Sequence, residues 1–75
     1  MNQVDIHLDN VEEAVKFVKC LEQHPYNMDL YCGSNVVDAK SLVGVLDMAV
    51  GKDVKLCIYE DFADDVIAEM KSFQI

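Results

Sequence analysis

Two histidines, three cysteines and one serine set between a lysine and an apolar run are the side chains of this chain that could take part in chemistry. Imidazole is the group that changes charge unperturbed between pH 5 and 8, so His7 and His24 are the candidates for accepting a phosphoryl group or moving a proton. His7 falls on the polar phase of an alternating stretch, where an exposed or edge position accounts for it. His24 precedes Pro25 at the end of a helical run, where an imidazolium would favour the helix dipole. Neither shows, close by in sequence, the orienting partner and the electrophile-stabilising group that an activated nucleophile needs. Cys20, Cys32 and Cys57 are odd in number and hold no C-x-x-C pair, which fits reduced, packed thiols better than a disulfide framework or a zinc site. His7, His24 and the cysteines also lack the close spacing of metal ligands, although separated residues can meet in space. The expectation is a chain with no catalytic residue, no metal and no cofactor, which is a binding protein and not an enzyme.

Ser41 is the stronger candidate. It stands at the start of a short helical run, where an added phosphate would gain from unpaired N–H groups and from Lys40. The plain alternative is an N-cap serine, which stabilises a helix by about 1 kcal/mol with no signalling role. The run that follows carries Leu42, Val43, Val45, Leu46 and Met48, more apolar side chains than a short helix can bury. Some of these five must stay exposed, so a docking surface for a protein partner on this run, beside Lys40, is expected.

The elements that must position these residues follow from periodicity. Val4, Ile6 and Leu8 alternate with Gln3, Asp5 and His7 as a strand. Asn10 offers a cap, Glu13 completes a capping-box pattern, and Val11, Ala14, Val15, Val18 and Leu21 recur at helical spacing, predicting about three turns that stop near His24 and Pro25. Met28, Leu30 and Cys32 predict a second strand, and Gly33-Ser34-Asn35 a hairpin turn into Val36 to Ala39. Ser41 caps the second helix, which Gly44 weakens. Gly51-Lys52-Asp53 turns the chain into a fourth strand with Val54, Leu56 and Ile58 inward. Asp61 is expected to cap a last helix on which Phe62, Val66, Met70 and Phe73 share a face. The order strand, helix, strand, strand, helix, strand, helix implies two layers, helices on one face of a largely antiparallel sheet. The expected core is Val15, Val18, Leu30, Leu56, Ile58, Val66 and Met70.

Composition bounds the function classes. At 75 residues, 52% hydrophobic and 27% charged, with one Pro and three Gly, the chain has the makings of one small domain, residues 1–75. Such a domain buries about 62% of its unfolded surface. Fourteen Asp and Glu against six Lys, with no Arg, leave a net charge of −8. Nucleic acid and anionic membranes are poor partners for that charge. Tyr26, Tyr31 and Tyr59 suggest no base-stacking platform, which would need cationic company. The acidic groups Glu12-Glu13 and Asp61-Asp64-Asp65 read as helix-start charges. Leu42 to Val50 is too short to span a bilayer, and Met1 to Leu8 lacks the pattern of a signal peptide, so a cytoplasmic protein is expected.

The element order, together with Val37-Asp38-Ala39-Lys40-Ser41-Leu42-Val43-Gly44-Val45-Leu46, resembles HPr, the histidine-containing phosphocarrier protein family of the sugar phosphotransferase system. Ala39-Lys40-Ser41 followed by Gly44-Val45 resembles the segment around the regulatory serine of HPr proteins from Gram-positive bacteria. Ala14 to Lys19 and the Gly51-Lys52-Asp53 turn add to the likeness, which covers most of the chain. The resemblance implies an α+β open-faced sandwich, with an antiparallel four-stranded sheet in the order 1-4-2-3 and three helices on one face. It also implies a serine, here Ser41, phosphorylated by a dedicated kinase, and an apolar docking patch at Leu42, Val43 and Leu46. The chain departs from the family where the family's chemistry lies. The Gly-Leu-His-x-Arg-Pro-like loop is missing, Asn10 falls near the histidine position and Glu12 near the arginine position. In solvent, about 7 Å away, each glutamate would repel each phosphate charge by on the order of 0.5–2 kcal/mol. Three readings stay open: a regulatory or protein-binding HPr-like module related to the phosphotransferase system, with phosphotransferase-system or transcription-regulatory proteins as its partners, a phosphocarrier using an atypical histidine, or a structural subunit that kept only the fold.

Overall fold

The computed structural model describes all 75 residues, Met1–Ile75. Strand β1 (Asn2–His7) leads into helix α1 (Val11–Glu22), the hairpin β2 (Met28–Cys32) and β3 (Asn35–Asp38), helix α2 (Leu42–Met48), strand β4 (Asp53–Ile58) and helix α3 (Asp64–Glu69), which ends in a 3-10 turn, Met70–Ser72. The sheet order is β1-β4-β2-β3, and every pair is antiparallel. The three helices cover one face of it, an open-faced sandwich.

Alternation decides which side of each strand is covered, because a strand's successive side chains point to opposite faces. Val4, Ile6 and Leu8, Met28, Leu30 and Cys32, and Val54, Leu56 and Ile58 all lie buried beneath the helices. In the β2–β3 hairpin Cys32 pairs with Asn35, leaving Gly33 and Ser34 as the two-residue loop. Gly33 takes φ +64, at the first central position, where a tight hairpin turn calls for glycine. Gly44 has a different reason. A Cβ there would meet Val37 Cβ at 3.3 Å, so the missing side chain lets α2 lie close on β3, and that contact offsets the helix propensity lost.

Six of the seven expected core residues are buried; Val15 is only half-buried. The buried stripe of α1 is Ala14, Phe17, Val18 and Leu21, and Val11, expected on that stripe, is 58% exposed. The stripe is rotated toward Phe17, whose ring meets Phe73 edge-on at 5.5 Å. The last helix also differs from expectation. Asp61 does not cap it: its carboxylate takes the N-terminal ammonium at 2.7 Å. That ammonium holds the Asp61 carboxyl below its usual range. The helix starts at Asp64, with Ala63 in the cap position two residues after Asp61 and no side-chain cap, and Phe62 stands 85% exposed before it. Cys57, on the outward phase of β4, is nevertheless buried, flanked in its register row by Gln3 and Asp29.

Candidate functional site

Two of the three sequence-predicted caps, Asn10 and Ser41, are present, and each fixes the start of a helix. Asn10 Oδ1 accepts from the Glu13 backbone N–H at 2.9 Å, and Ser41 Oγ from that of Gly44 at 3.3 Å. Each satisfies one of the four backbone donors that a helix start leaves unpaired. Around the α1 start lie Asp9, Glu12 and Glu13, with no lysine in the first turn. The α2 start has no acidic residue in its first turn.

The α2 start presents the apolar residues that the sequence places there, unequally. Val43 is 80% exposed and Leu42 38%, whereas Leu46 is half-buried and packs against the core, and Val45 is wholly buried. The exposed part of the expected patch is thus Leu42 and Val43, with Leu46 behind them. Lys40 is also differently placed. Its backbone N–H is held by Asp38 Oδ1 at 2.9 Å, and its ammonium donates to the His24 carbonyl at 2.5 Å, so the side chain runs toward the loop after α1. The larger of two surface clefts, about 410 Å³, lies beside Lys40 and is lined by Asp29, Asp38 and Tyr59; Ser41, Leu42 and Val43 line neither cleft. An exposed apolar surface outside both clefts suits a macromolecular partner better than a small ligand.

Both histidines have carboxylate partners, of which only Asp9, two residues from His7, is near in sequence. His7 Nδ1 lies 2.7 Å from Asp53 and Nε2 3.2 Å from Asp9. At the other end of α1, His24 Nε2 lies 2.5 Å from Glu69 and Nδ1 3.4 Å from Asp65, with the ring stacked over Tyr26 and its side chain 11% exposed. Each imidazole therefore faces two carboxylates, one at each nitrogen. A phosphoryl group on either would bring about two negative charges beside them, at about 1–4 kcal/mol of repulsion per charge pair at 4 Å. The Cys20 thiol, 3.6 Å from Glu69, is pushed up by burial and then by that carboxylate, so it holds its proton. Spacing along the chain could have pointed to this group only through Cys20 and His24, four residues apart; Asp65 and Glu69 arrive from α3.

On the open face of the sheet, Tyr59 donates to Asp29 at 3.0 Å and meets the Tyr31 hydroxyl at 3.3 Å. Those two contacts push the Tyr59 phenol well above its usual range. No helix is long and apolar enough to cross a membrane.

No family model matches the chain, and no curated protein does. Among solved structures it is similar to HPr-C-His from Thermoanaerobacter tengcongensis, at 25% identity over 91% of this chain and 84% of that one, with a TM-score of 0.73. It is also similar to the phosphocarrier protein HPr from Bacillus anthracis str. Ames, at 15% identity over 99% of this chain and 96% of that one, with a TM-score of 0.74. The chain is HPr-like, and its sheet order and helix placement are those of the HPr open-faced sandwich.

Proposed function

We propose that this is an HPr-like protein-binding module without the usual phosphohistidine site, a regulatory relative of the phosphotransferase system that works in the cytoplasm, with Ser41 as its phosphorylation site. The observation that carries this reading is the contrast at the two helix starts. Where an HPr-type loop would present histidine and arginine, the chain has Asn10 as a cap and Glu12 and Glu13 in the first turn. Where the regulatory serine would lie, Ser41 is retained beside exposed Leu42 and Val43. The carboxylates at both nitrogens of His7 and His24 weigh against the alternative of a phosphocarrier using an atypical histidine.

The partner is a protein of the phosphotransferase system or one of its transcription-regulatory associates, docking an apolar surface on Leu42 and Val43. Leu46 supports that surface from behind, and Lys40 borders it. Phosphate on Ser41 adds a charge of about −1.5 to −2 beside the patch, which makes apolar docking less favourable and offers a new anion to a lysine- or arginine-bearing partner. Calorimetric binding of such partners to wild type, Ser41→Asp and Val43→Glu tests the reading. Altered affinity in Ser41→Asp and loss in Val43→Glu are expected; equal binding by all three would place the interface elsewhere and leave Ser41 a cap.

A further inference from the structure

The far end of α1 carries a grouping that the reading above does not use. Cys20 and His24 lie four residues apart there, Asp65 and Glu69 lie four apart on α3, and the fold brings the two pairs together. Glu69 Oε2 is their meeting point, 3.6 Å from the Cys20 sulfur and 2.5 Å from His24 Nε2. Thiolate, imidazole and carboxylate together are the donor set of zinc-class ions. The sulfur-to-oxygen separation already fits two donors on one tetrahedral ion, since bonds of about 2.3 and 2.0 Å span about 3.5 Å.

The remaining contacts resemble the outer support of a metal-bound histidine. Asp65 lies at Nδ1, the nitrogen turned away from Glu69, where a carboxylate fixes the ring's tautomer and orientation. Tyr26 donates to Asp65 at 3.4 Å and stacks on the imidazole, with centroids 6.1 Å apart. Neither carboxylate has a lysine partner, so their charge is free to offset a cation. As the side chains stand, the His24–Glu69 hydrogen bond occupies the space an ion would take, and no three of them form a ready cage. Two donors on one tetrahedral ion lie about 3.3 Å apart, so that contact must open by about 0.8 Å, a small rotation for a Glu69 side chain that is about half exposed.

We propose that Cys20, His24 and Glu69 form an inducible site for one divalent zinc-class ion, oriented by Asp65 and leaving the fourth position to solvent. Binding converts the Cys20 thiol to a thiolate and releases its proton to solvent. The proton that His24 Nε2 shares with Glu69 must give way to one on Nδ1, facing Asp65, so that Nε2 can bind the ion; there is no redox change. The bound ion joins the end of α1 to α3, the helix that lacks a side-chain cap.

Cobalt(II) is the probe, titrated into the reduced chain at neutral pH. Expected are a sulfur-to-cobalt charge-transfer band and tetrahedral visible bands that saturate at one ion per chain and vanish on adding zinc. Cys20→Ser should abolish the charge-transfer band, Glu69→Gln should weaken binding at least about tenfold, Asp65→Asn should weaken it about tenfold while keeping the band, and His7→Gln should change nothing. Glu69→Gln alters a half-exposed side chain and keeps the test valid should Cys20→Ser fail to fold. A wild-type spectrum without the band, a band that survives in folded Cys20→Ser, or binding indifferent to Glu69→Gln would overturn the proposal.

Discussion

The starts of α1 and α2 are built alike and charged differently. Each has an extended cap residue whose side-chain oxygen takes a backbone N–H three residues on, Asn10 to Glu13 and Ser41 to Gly44. The first turn of α1 then carries two glutamates, which complement the helix dipole and make another anion there less favourable. The first turn of α2 has no acid and exposes Leu42 and Val43. The backbone scaffold of the two ends is the same, and the charge and exposure of a few side chains set them apart.

The largest expected effect concerns what the two ends share. Leu56, at the centre of β4, is fully buried in the sheet on which the helices rest. Leu56→Ala should cost roughly 2–5 kcal/mol in chemical denaturation, a large share of a small domain's stability. A loss below about 1 kcal/mol would mean that the helix starts do not depend on a common core. The caps come next. Asn10→Ala should cost about 1 kcal/mol, and Ser41→Ala less, because its hydrogen bond is longer and its helix has seven residues against twelve. The reverse order in matched thermal melts would show that the α2 cap is structural before it is functional.

How much of this was legible follows from where the information sits. The alternation of β1, β2 and β4 and the polar caps Asn10 and Ser41 are local signals, and strand phase and both helix starts came from them. The strand order needed the resemblance, since alternation places a side chain on a face and does not choose a neighbour. The α1 stripe was misplaced because Val11 and Val15 share its spacing, and the choice between them and Phe17 is made by Phe73 from the other end of the chain. Asp61 has the residue type of a cap, but the N-terminal ammonium 60 positions away takes it. The carboxylates beside His24 were invisible for the same reason: they lie 41 and 45 positions along the chain and meet it only when α3 packs.

The smallest effects on stability separate surface from core within α2. Val43→Glu should change stability by no more than about 0.5 kcal/mol, since Val43 is 80% exposed, whereas Val45→Ala, on the opposite side of the helix and fully buried, should cost about 1–3 kcal/mol. Ser41→Asp should hold the melting temperature within a few degrees, because an acidic cap can still accept the Gly44 N–H. A marked loss in Val43→Glu would make that side chain part of the packing and remove it from the docking surface.

The central claim is that phosphate chemistry has left the α1 end, and phosphorylation by phosphoenolpyruvate and the general phosphotransferase enzyme measures it directly. Followed by intact mass and phosphorus NMR, the chain is predicted to take up no acid-labile phosphate, since the α1 start carries Asn10 as its cap and two glutamates in its first turn, and both imidazoles face carboxylate pairs. A stoichiometric phosphoramidate, lost in His7→Ala or His24→Ala, would contradict it.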